Sequence, residues 1–165
     1  MKKNIKIIII LLITSFFNFN LVYAAASGAG SSGDGGYDKA GLYKKGKKLV
    51  IRAKQQEKKN RVEKAQELYL KAYDIFEKAY AKNKTNPDIL NYLGFTLRKT
   101  GEFEKAEFFY LKGLELDASH LGINEYLGEL YVQTNRMELA QKRLEVLQGC
   151  DCEEYKELKE LIENK

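Results

Sequence analysis

Apolar residues fall at steps of three and four along most of the chain, so helices rather than strands are its natural elements. Leu90, Leu93 and Leu97, with Gly94 among them, line one face of a predicted helix. It begins at Pro87, where a missing N–H costs nothing, and Gly101 stops it. A second helix over about 103–116 carries Ala106, Tyr110 and Gly113 on its apolar side. The arrangement returns with Leu127, Gly128, Leu130 and Tyr131, then with Ala140, Leu144 and Leu147. Upstream, Val62, Ala65, Tyr69, Ala72, Phe76 and Ala79 predict another helix. Downstream, Tyr155, Leu158, Leu161 and Ile162 form one stripe of a short final helix, with Asp151 and Glu154 placed to satisfy N–H groups at its start. Tight turns are expected at Lys99–Phe103 and Thr134–Met137.

Ala72, Ala106 and Ala140 stand 34 residues apart, and each is followed four positions later by a large residue: Phe76, Tyr110 and Leu144. A fixed period of this length means stacked helix pairs, none of which can bury its apolar face alone. The spacing of Leu-Gly pairs, a following Tyr, and then Ala with a large residue four on resembles the tetratricopeptide repeat (TPR) family over about residues 50–165. Leu90 and Asn124 stand where that pattern opens with Trp, and Ala118 and Cys152 where it closes with Pro. The resemblance implies an all-α, short right-handed solenoid with full units at 87–120 and 121–154 and a capping helix at 153–165. An irregular unit is expected at 37–86. Its segment RAKQQEKKNR has almost no apolar face, so the partner helix is expected from Tyr37–Gln55, through Leu42, Tyr43, Leu49, Val50 and Ile51, with an insertion after it. The Leu127–Tyr131 segment followed by the two cysteines and Glu153–Tyr155 also resembles small exported TPR proteins of Gram-negative bacteria.

The ends of the chain differ in kind. Lys2, Lys3 and Lys6, an apolar run to Phe17, and small residues up to Ala26 make the three parts of a secretory signal peptide, expected at 1–24 with cleavage after Ala24 or Ala26. Thr14, Ser15, Asn18 and Asn20 interrupt the run, short of the roughly 20 apolar residues that span a bilayer. The mature protein is therefore expected in the periplasm, the rival being an inner-membrane anchor left uncleaved. Residues 25–36 have the Gly/Ser composition of a flexible linker. The full chain carries a net charge of +5, unevenly spread: 15 basic against 6 acidic residues over 37–84, and 10 against 16 over 85–165. Such a polarity is what solvated helix faces give, and it also allows contact of segment 39–64 with an anionic surface. Nucleic acid is not an expected partner of an exported protein.

Candidate chemistry is sparse. His120, alone of its type, has no Cys or second His near it in sequence and reads as a surface turn residue. No phosphate loop, nucleophile elbow or metalloprotease helix occurs, so no enzyme activity, cofactor or metal is expected. Cys150 and Cys152 leave three readings open: a local disulfide turning at Gly149, two reduced thiols, or a redox or metal role. By the resemblance, the concave face is lined by the first helix of each unit. Its outward positions are then Asn91, Phe95, Arg98 and Lys99, and Glu125, Glu129 and Gln133. Phe95 either anchors a peptide there or packs on the preceding repeat. The Lys and Asn pattern of modules that clamp a C-terminal carboxylate is not reproduced, since Phe95 follows Asn91 where Asn is needed. The expected function is an envelope scaffold or adaptor holding a protein or peptide partner. A tethered organiser and a thiol redox factor are the rivals.

Overall fold

The computed structural model describes residues 39–165, so the expected leader and linker lie outside the described residues. Seven helices follow in order: α1 (Lys39–Glu57), α2 (Val62–Lys82), α3 (Pro87–Lys99), α4 (Phe103–Leu116), α5 (Leu121–Gln133), α6 (Met137–Leu147) and α7 (Glu153–Glu163). They pair as hairpins α1/α2, α3/α4 and α5/α6, and α7 closes the stack against α5 and α6. Helices α1, α3, α5 and α7 touch in series and form the inner layer of a short α-solenoid.

The helix ends follow from local chemistry. The Asn86 side chain accepts from the Ile89 N–H at 3.3 Å just ahead of Pro87. His120 does the same for α5, its Nδ1 accepting from the Ile123 N–H at 3.2 Å. It is thus a helix cap with a largely buried side chain rather than a surface turn residue. Thr100 and Thr134 return their hydroxyls to carbonyls of the last turns of α3 and α5. The next residues, Gly101 and Asn135, take φ of 88° and 56° to reverse the chain. At α7 the expected cap is not formed. Cys152 occupies that position with no side-chain bond to the helix, and Asp151 pairs instead with Lys156 at 3.3 Å.

Glycines of α3 and α5 each seat a large residue from a neighbouring helix, α4 in one case and α7 in the other. The Tyr110 ring lies over Gly94, and Leu158 over Gly128. A methyl group at Gly94 would meet Tyr110 Cε1 at 2.5 Å, inside any tolerable contact. Gly94→Ala is therefore expected to cost about 1–3 kcal/mol, read as a lower urea midpoint, and an unchanged midpoint would show the contact to be slack.

The first unit departs from expectation. No separate insertion stands between its helices: α1 runs through the polar segment and joins α2 across a four-residue turn at 58–61. Gly46, under the Phe76 ring, plays the part of Gly94, but stands 14 residues ahead of the place the 34-residue period assigns it. The extra residues are absorbed as about two added turns on each arm of the hairpin. Leu42, Val50 and Ala53 are buried and Leu49 is half-buried, whereas Ile51 faces solvent.

Candidate functional site

The inner layer bounds a groove of about 440 Å³, with Tyr43 and Lys47 on α1, Asn91 and Tyr92 on α3, Glu125 and Tyr126 on α5 and Glu154 on α7 among its lining residues. A second recess of about 210 Å³ contains Lys54, Phe95, Arg98, Lys99, Tyr126, Glu129 and Glu157. Tyr126 belongs to both. The walls are of opposite sign: lysines of α1 on one side, carboxylates of α5 and α7 on the other.

Several residues expected to point outward form the floor instead. Phe95 is buried, its ring 5.8 Å from that of Tyr69 in the preceding hairpin and 4.8 Å from that of Tyr126 in the next. It is therefore a packing residue between hairpins, not an exposed peptide anchor. Asn91, Arg98 and Glu125 are also buried. Arg98 survives burial because its Nη1 lies 2.7 Å from Glu129 Oε2, and the same guanidinium sits over the Phe95 and Tyr126 rings at 5.6 Å. Lys99 is half-buried and pairs with Glu57 of α1 at 2.7 Å. Gln133 is exposed and lines neither recess.

Sequence reasoning missed Tyr92, Tyr126, Lys47, Lys54 and Glu157. Tyr92 and Tyr126 stand 34 residues apart, so the period already marked them as equivalent inner positions. Lys54 is found only through α1, whose length was misjudged: its Nζ sits 4.9 Å over Phe95 and 5.6 Å over Tyr126.

At the α5–α7 seam, Glu125, Glu129 and Glu157 bring carboxylate oxygens within 4.8 Å of one another. Burial first, then the Glu157 carboxyl and the charges of Glu129, Glu157 and Glu154, push the Glu125 carboxyl up to about 9. It accordingly keeps its proton at neutral pH. Asn124, at the position of the missing Trp, donates to the Ala118 and His120 carbonyls and ties the turn before α5. Cys150 and Cys152 are joined as a disulfide, with Cα atoms 5.2 Å apart, between α6 and α7. No nucleophile with an oriented base is formed among the described residues.

Residues 75–108 match the family model for the tetratricopeptide repeat. Solved structures of similar fold include a chain of the CopN–Scc3 complex, at TM-score 0.56 and 22% identity over 78% of this chain and 69% of that one. The Yersinia enterocolitica type III secretion translocator chaperone SycD gives 0.57 and 16% over 78% and 92%. SycD in complex with a peptide of the translocator YopD gives 0.51 and 18% over 72% and 86%. No curated protein matches the chain. It thus carries a repeat of the tetratricopeptide family in an all-α solenoid, and at these identities the likeness is one of fold.

Proposed function

We propose that this chain is a non-catalytic adaptor that holds an extended or helical segment of a partner protein in the groove of its inner layer. The observation that carries this reading is the groove itself, walled by side chains of four successive inner helices and open along its length. Its polarity, with Lys47 and Lys54 facing Glu125, Glu154 and Glu157, favours a segment with charges of both signs. A similar fold, SycD, has been solved with a bound peptide, which supports the mode of binding without naming a partner here. Export to the envelope rests on residues 1–26 alone, and the mass of the mature chain in periplasmic and membrane fractions tests it.

Photo-cross-linking tests the groove. A benzophenone side chain placed at Lys47 or Glu154, both on the groove, is expected to capture the same partner in living cells. The same group at Leu70 or Phe108, exposed on the outer helices α2 and α4, is expected not to. Equal capture from outer and inner sites would remove the groove from consideration. Phe95 is unsuited to such a test, since its substitution disturbs packing between hairpins.

A further inference from the structure

We infer that the outward face of α1 docks this protein on an anionic lipid bilayer, leaving the groove free for its partner segment. Three sides of α1 separate by helical spacing. Leu42, Gly46, Val50 and Ala53 are buried, mostly against α2. Tyr43, Lys47 and Lys54 turn to the two recesses of the inner layer. The third side carries Lys44, Lys48, Ile51, Arg52 and Gln55 and runs on into Lys58 and Lys59 of the following turn, all of them exposed, over about 22 Å. Helix α1 touches only α2 and α3 among the described helices, so none of these covers that side.

Five cations and no acid share this face. Glu57, the one acid of α1, lies away from it and is held by the Tyr69 hydroxyl at 2.8 Å and by Lys99 at 2.7 Å. The next acid in the chain, Glu63, belongs to α2. Even the first turn of α1, where the helix dipole favours a carboxylate, has none. Elsewhere on the surface exposed cations stand beside acids: Lys71 beside Glu67, Lys105 beside Glu102, Lys156 beside Asp151 and Lys159 beside Glu163. No ion pair joins Lys44, Lys48, Arg52, Lys58 or Lys59 to an acid among the described residues. A surface kept only for solubility has no need to exclude one sign over such a length.

Ile51 is an independent observation. It is 54% exposed in the middle of the cationic stripe, where a purely electrostatic face would gain nothing from an aliphatic group. A bilayer of anionic lipid takes both: headgroup phosphates receive the Lys and Arg heads, and the acyl boundary receives the isoleucine. Residues 85–165, with 10 basic against 16 acidic side chains, are repelled by the same surface, so the molecule is oriented with α1 towards the lipid. Tyr43, Lys47 and Lys54 stand roughly a quarter turn round the helix from the stripe, and lipid contact leaves them open.

Vesicle flotation at physiological salt tests the face, with the chain as matured in the cell. It is expected to float with vesicles containing phosphatidylglycerol and to stay behind with phosphatidylcholine alone. Lys44→Glu, Lys48→Glu and Arg52→Glu together are expected to weaken that binding roughly a hundredfold or more. Lys78→Glu, Lys105→Glu and Lys142→Glu, exposed on α2, α4 and α6, change the net charge equally and are expected to weaken it less than about threefold. Ile51→Ser alone is expected to weaken it roughly fivefold. Circular dichroism melts show that each variant is folded. Absence of binding to phosphatidylglycerol vesicles, or equal losses in the two triple variants, would overturn the inference. Duplex DNA bound as tightly as the vesicles, with Ile51→Ser without effect on either, would reassign the face to polyanions and overturn it as well.

Discussion

Leu158→Ala is expected to lower the melting temperature of the full chain by roughly 10 °C, corresponding to about 3 kcal/mol. Leu158 is the fully buried residue of α7, and both its methyl carbons lie over Gly128, where no side chain is present to fill the space if it shrinks. Around it, Leu144 and Leu147 make the small core that joins α7 to α6, with Tyr155 and Ile162 at its edge. Truncation to Ala therefore leaves a cavity lined by these groups, and Gly128, buried and without a side chain, cannot fill it. Thermal melts followed by circular dichroism read the effect. A change of a degree or two would mean that α7 rests on the stack without closing it. Ending the chain at Leu147 is the coarser form of the experiment: it bares Leu144, Leu147 and the Gly128 face, and self-association by sedimentation is expected to rise with it.

Glu125→Gln is expected to be more stable than wild type at pH 8, by on the order of 4 kcal/mol, and to lose most of that advantage by pH 5. The sign follows from proton counts. The Glu125 carboxyl titrates near 9 in the folded chain against an ordinary value of 4.5, so between these limits the folded state holds a proton that the unfolded state has released. Stability from this group is whole below the ordinary value and drains away as pH climbs towards 9, at up to about 1.4 kcal/mol per pH unit. Glutamine copies the protonated form at every pH and removes the slope. Urea titrations of both chains at the two pH values provide the check, and parallel behaviour of variant and wild type would sink the argument. Glu129, Glu154 and Glu157 supply the like charges behind the shift after burial itself.

The 34-residue period carried the fold because equivalent helix positions recur at that spacing: Gly94 and Gly128 both seat a large residue, though Tyr110 comes from α4 and Leu158 from α7, and Tyr92 and Tyr126 both line the inner groove. The first hairpin escaped it. Residues added equally to both arms leave helical periodicity intact while moving Gly46 out of step, so the sequence showed a polar stretch and no break. That stretch is polar because it is the overhanging end of α1, largely exposed. The site was harder to read. Arg98 and Glu125 are of types that normally seek water, and only the pairing of Arg98 with Glu129 and the protonation of Glu125 let them sit inside. Each depends on a neighbour from another helix, which local spacing cannot reveal.

The overhang of α1 also changes how the molecule should come apart. In a solenoid whose units touch only their immediate neighbours, the ends fray independently and unfolding spreads step by step. Here Lys54, near the end of α1, bonds the Tyr126 hydroxyl at 3.5 Å across a separation of 72 residues, and Glu57 holds Lys99 of the middle hairpin. The first hairpin thus clasps the third across the second. Melting should be a single concerted event, with hydrogen-exchange protection of the first and third hairpins rising and falling together.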